Sequence, residues 1–450
     1  MMSALGCLLA GVVARDHGVR IFERFNSTAM ALWDATLRSD SQEATSLVQA
    51  AVLGQLFGLL SGDAKHLSMV DNFQGTVIAW ARKCGMFQQL RQYPDLESLG
   101  VAALETAWKS WVRSEEVRRV VLGLFIVDAQ IAGTFHHDPL LRHDSMVLDL
   151  AADEDVFNAP NAAEWRSRIL IEISTRKTLQ PLTFRNRSQF NSYVVLQNIS
   201  ARICEGQARG KVVLGSQEYE SLLHDLLDWR AMFARQLQDN HSQPDAFDLM
   251  TLWHASFLNL LADLNKLERA LGRDGLHSVF LESDITYAVN WSKSAAADRC
   301  VLHALAIQEK LSQMRLSIEP AMHIPHCAFL AGIITYSCLR FRRPAMLARY
   351  PLQIQLSPTG SISDFIEFNI HGELEQSGQF QNTPVLFEND KGELLMRSLS
   401  PQRPVLMVGA EVFRQCHELL LRMGHFEIAR SFAKTLEALI YVEIEKWMHG

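Results

Sequence analysis

The chain has 450 residues, of which 48% are hydrophobic and 21% charged. That is enough apolar material for a large core, and it excludes disorder as a whole-chain state. Thirteen prolines and 24 glycines are too few for a turn-dense all-β fold, and a net charge of −7 argues against nucleic-acid binding through bulk electrostatics.

The N-terminal run Met1–Ala14 is apolar, but its first basic residue, Arg15, follows the run rather than preceding it. A secretory signal needs the opposite order, so a buried helix is the preferred reading. The sequons at Asn26, Asn186, Asn198 and Asn290 are then chance matches. Leu47 to Leu60 is apolar nearly all round and predicts a helix buried on several sides. Gly54 and Gly58, four residues apart in it, would let a neighbouring backbone approach. Leu67, Val70, Phe73, Val77, Trp80 and Cys84 recur at steps of three and four, and Gly85 offers the C-cap.

Trp108 and Trp111 share one helix face, and Glu115 stands at helical distance from Arg118 and Arg119. The apolar run Val120–Gly133 follows. It is too short for a membrane span and carries Asp128, so it predicts a core helix. Asp128 would be costly there unless paired, and Arg118 or Arg119 is the candidate partner, across helices rather than along one. The segment reads as a buried polar network holding helices in register. The functional alternative is a small-ligand pocket lined by the same tryptophans.

Residues 138–160 predict an acidic loop, with Asp144, Asp149, Asp153, Glu154 and Asp155, and residues 176–189 a basic break. Trp253, Phe257, Leu260, Leu264, Leu267 and Leu271 keep one helical rhythm closed by Gly272. Ala304, Ile307, Leu311, Met314 and Ile318 predict another helix, stopped by Pro320. Arg340, Arg342 and Arg343 suit a helix C-terminus. Residues 351–404 are polar and predict a long surface loop insertion, with a short strand open at Leu352, Ile354 and Leu356. Residues 411–447 return to helix on both sides of Gly424. The pattern as a whole predicts an all-α fold, a single large helical domain over residues 1–450 with the insertion at 351–404.

No catalytic constellation emerges. Gly206–Lys211 is one residue short of a phosphate loop, and Val212 stands where its Ser or Thr should be. His417-Glu418 lacks the second zinc-protease histidine. The clusters His136, His137, Asp138, His143 and His323, His326, Cys327 read as surface or hydrogen-bonded side chains rather than metal ligands. The seven cysteines are widely spaced, as in reduced, mostly buried thiols of a cytosolic or nuclear protein.

Trp108-x-x-Trp111, Glu115-Glu116, Arg118-Arg119, the apolar helix through Asp128, then Phe135 and Pro139 resemble the fungal-specific transcription factor regulatory domain, the middle homology region. Ala79–Gly85 before them and Phe157 with Glu164-Trp165 after them are similar to the flanking segments. Leu252-Trp253-His254-Ala255-Ser256-Phe257, Leu267-Glu268 with Gly272–Gly275, Asp298–Ala304 and Gly424–Ala429 resemble the branch usually found with two-Cys two-His zinc fingers.

The resemblance implies a non-enzymatic regulatory domain of an RNA polymerase II transcription factor, located in the nucleus. It implies structural or pocket-lining roles for Trp108, Trp111, Glu115, Arg118, Arg119, Asp128, Pro139, Trp253 and His254. It further implies protein partners from the transcription machinery or a related factor, and leaves room for a homodimer contact and a small-molecule effector. No cofactor is expected in this chain, nor direct DNA binding, nor a membrane. Zinc is expected only in a DNA-binding module that family members carry ahead of this domain, so the chain is expected to lack its N-terminal part. The rival reading is a free-standing helical adaptor that titrates a related factor's partner.

Overall fold

A computed structural model describes residues 1–38, 41–88, 95–143, 150–178, 188–239, 245–275, 278–314, 319–342, 405–424 and 426–449. Among these residues there are sixteen α-helices and no strand, as the helical periodicity predicts. The insertion expected at 351–404, with its open strand, lies outside the described residues. The chain divides into two compact units. The first comprises Met1–Glu205 and His224–Leu249, the second Gly206–Leu223 and Met250–Gly450.

The first unit begins with α1 (Met2–Leu9), α2 (Val12–Arg38), α3 (Ser41–Ser61) and α4 (Ala64–Lys83), which pack consecutively. Asp63 caps α4 by accepting from the Lys65 and His66 N–H groups at 2.9 and 3.2 Å. Cys84 closes it, and Gly85 takes the left-handed φ of 67° at the position the sequence assigns to the cap. The apolar face of α4 buries Val70, Val77 and Trp80 against α3 and α5 (Val101–Phe135). Each fully buried side chain of this size contributes about 1.5–3 kcal/mol.

At 35 residues, α5 spans both the tryptophan motif and the apolar run in one helix. Its N-terminal half packs against α6 (Glu154–Phe157) and α7 (Ala162–Thr178), where Trp111 meets the fully buried Trp165 with ring centroids 5.5 Å apart. Two further helices, α8 (Gln189–Ala208) and α9 (Gln217–Asp239), contribute to this unit as far as Glu205 and from His224. Trp229 of α9 donates its indole N–H to the Ser192 carbonyl of α8 at 2.9 Å.

The second unit corrects two expectations. The rhythm from Trp253 to Leu271 is two helices, α10 (Leu249–Leu261) and α11 (Leu264–Ala270). Asp263 breaks it by capping α11, accepting from Lys266 N–H at 3.1 Å, while its own N–H donates to the Tyr287 hydroxyl at 2.7 Å. The sequence pattern persists because both helices bury Leu260, Leu264 and Leu267. After α12 (Leu281–Trp291), α13 (Ala295–Ser312) ends at Gln313, before Met314 rather than at Pro320. Ile318 lies outside the described residues.

The central helix of this unit is α14 (Ile324–Phe341), buried from Ile324 to Cys338 except at His326. It packs against α13, α15 (Val405–Arg422) and α16 (Glu427–His449). Gly332 permits that approach, since a Cβ there would stand 2.8 Å from Leu436 Cδ1. The Phe329 and Phe432 rings stack at 4.5 Å, and the Tyr336 hydroxyl donates to the Leu439 carbonyl at 2.9 Å. By length and composition α3 and α14 are apolar enough to cross a membrane, but both are mostly buried within the protein, as core helices are.

Candidate functional site

The tryptophan motif and its sequel form two adjoining polar networks on α5. The first centres on Glu115, which is fully buried. Arg118 Nη1 donates to Glu115 Oε2 at 2.6 Å, and Arg119 Nε lies 3.5 Å from Oε1. These are the two pairs that the helical spacing predicts. Glu115 Oε1 also accepts from the Ala152 N–H at 2.7 Å, and Arg119 returns two bonds to the same loop, to the Ala152 carbonyl and to Glu154. The Arg119 guanidinium lies 4.2 Å from the Phe157 ring centroid and 5.8 Å from that of Phe190. An acidic loop is thereby fixed to a helix through one buried carboxylate and Arg119, with Arg118 paired to that carboxylate along the helix. Asn191 of α8 adds a second clamp, exchanging two hydrogen bonds with the Ala151 backbone.

The second network centres on Asp128, also fully buried. Its partners are neither Arg118 nor Arg119, which the sequence proposed and Glu115 occupies. Asp128 instead accepts from the Leu140 and Leu141 N–H groups at 3.2 and 2.8 Å, from Gln74 Nε2 of α4 at 3.3 Å, and from His143 Nε2 at 3.4 Å. His143 Nδ1 then accepts from Asn198 Nδ2 at 3.3 Å, so the neutral Nε2–H tautomer satisfies both contacts. The geometry arises because α5 ends at His136, a non-glycine residue with φ of 56°. Through Pro139, which is half-buried, the chain then folds back over the last turns of its own helix.

Between α3 and α5 lies a groove of about 880 Å³, within the range of small-molecule sites. Its α3 wall carries Gln42, Thr45, Ser46 and Gln49 and then Val52, Leu53 and Leu56. Arg119, Phe157 and Phe190 line it as well, so it borders the Glu115 network. Trp111 lies in the apolar cluster around Trp165, and Trp108 packs half-buried against that cluster. Neither tryptophan is among the groove's lining residues. Sequence reasoning missed the groove, because its α3 wall is informative only once α5 is known to face it. Gln74 had left one signal, a polar residue within the apolar stripe of α4, whereas His143, read in the sequence only as one of a loose histidine cluster, and Asn198 carry no local sign that they meet at Asp128.

In the second unit Trp253 and His254 belong to a buried aromatic cluster. His254 Nδ1 and His303 Nδ1 are 3.0 Å apart, and Phe257 stacks on His303 at 4.4 Å. One ring must donate and the other accept, so the two Nδ1 atoms cannot both carry a proton while the contact is kept. Burial, with a smaller contribution from Arg299, pushes the His303 pKa down to about 3. Nearby, Arg269 makes two hydrogen bonds to Asp284, which is buried, at 2.7 and 3.0 Å.

The other sequence candidates disperse. His137 bonds Asp71 at the surface, while His143 is buried on Asp128, and His326 stacks on Phe432. Among the described residues no three His, Cys, Asp or Glu side chains converge as a metal site. Residues 206–211 form the end of α8, with Lys211 N–H donating to the Gly206 carbonyl at 2.8 Å and Gly210 left-handed. That is a helix C-cap rather than a phosphate cradle. Arg342 donates to Asp298 and to the Ser292 carbonyl, and Arg343 lies outside the described residues. The cysteines are free thiols, and burial drives those of Cys338 and Cys416 up to about 12, which makes both inert as nucleophiles.

The family model of the fungal-specific transcription factor domain matches residues 1–271, more than half of the chain. The chain belongs to that family. A curated "Transcription factor" of Gibberella fujikuroi is 20% identical over 178 residues, 39% of this chain. The match spans only 22% of that relative's length. No solved structure matches. The fungal transcription factor domain thus contains both α5 networks and the α3–α5 groove, and it ends one residue beyond α11 of the second unit.

Proposed function

We propose that these 450 residues are the regulatory domain of an RNA polymerase II transcription factor, acting in the nucleus through protein contacts and a small-molecule effector. DNA contact is made outside these residues. Family membership across residues 1–271 carries the reading. The buried networks support it, because Glu115 and Asp128 each tie a loop to a long helix, so a change at either loop reaches α5. Regulation requires an effector or partner to bind one such arrangement better than another. The reading assigns no catalytic role to the domain, and zinc belongs to a separate DNA-binding module.

Fusing the chain to a foreign DNA-binding module tests this. Reporter output should depend on the fused chain, and the protein should enter the nucleus. An unchanged reporter in every growth condition, with the fusion confined to the cytosol, overturns the reading.

Partners distinguish this domain from a free-standing adaptor. An adaptor captures a full-length family member on purification, whereas a domain that dimerises captures its own second copy.

A further inference from the structure

We draw no further inference here: the strongest candidate, the side-chain cluster of Trp108, Trp111 and Trp165 between α5 and α7, whose three buried indole N–H groups meet no acceptor among the described residues, carries nothing because nothing in the structure shows what would supply one.

Discussion

Asp128 is fully buried, so protein groups alone must satisfy its carboxylate. Replacing it with Ala strands the Leu140 and Leu141 N–H groups, Gln74 and His143 together, and stability should fall by about 3–5 kcal/mol. Asp128→Asn keeps one acceptor oxygen and should cost less. Urea unfolding of both variants measures this, and a wild-type midpoint for the Ala variant would refute the network's structural role. His303 predicts a pH dependence of definite sign. Its folded pKa is depressed to about 3, below the ordinary histidine value of about 6.5. The unfolded chain therefore binds the proton first, and stability contributed by the neutral ring is complete above about pH 6.5 and is lost as pH falls towards 3. The loss should approach about 1.4 kcal/mol per pH unit for this one group. In His303→Gln the melting temperature should fall less steeply between pH 6 and pH 4 than in the wild type. Parallel profiles would show that His303 stays solvated or finds an acid-state partner.

Close packing of α3 and α4 turns on one glycine rather than the pair that the spacing suggests. A Cβ on Gly58 would overlap Val70 Cγ2 and come within 3.4 Å of the His66 carbonyl, whereas on Gly54 it would meet Phe25 at ordinary van der Waals distance. Gly58→Ala should therefore destabilise by about 1–3 kcal/mol. Gly54→Ala should be neutral or stabilise by up to about 1 kcal/mol through helix propensity. Thermal melts of the two variants should move apart, and a similar shift for both would show that α4 yields freely. On α5, Trp111→Ala removes a buried ring packed on Trp165 and should cost about 3–5 kcal/mol by the same measurement. How far such elements can be read from sequence depends on where their determinants lie. The register of α4 is legible because one face repeats locally and Gly85 ends it. The break between α10 and α11 is not, because the apolar rhythm runs through it and Tyr287, which stabilises it, is 24 residues away. Asp128 announces that it needs a partner, but the left-handed turn at His136 that brings Leu141 and His143 to it carries no glycine to mark it.

The family match ends at residue 271, but the packing does not. The first unit lies wholly within the match, while of the second only residues 206–223 and 250–271 do. Those residues depend on helices later in the chain. Trp253 and His254 pack on His303, the Leu261 carbonyl accepts the Trp291 indole N–H at 3.0 Å, and Arg269 is held by Asp284. Leu264 and Leu267 belong to α11, which packs on α12 and α14. A chain cut at residue 271 would keep the two α5 networks and the groove but expose this apolar seam, together with a buried arginine partner site left empty. Large exposed apolar patches drive association. The shortened chain should therefore bind more of an apolar dye, and form larger assemblies on size exclusion, than the 450-residue chain does. Adding back residues 272–342, which restore α12 to α14, should reduce the dye signal. A monomeric, dye-silent 1–271 fragment with a sharp melting transition would show that the boundary of sequence similarity is also a boundary of folding, and that the second unit closes over its apolar seam without the later helices.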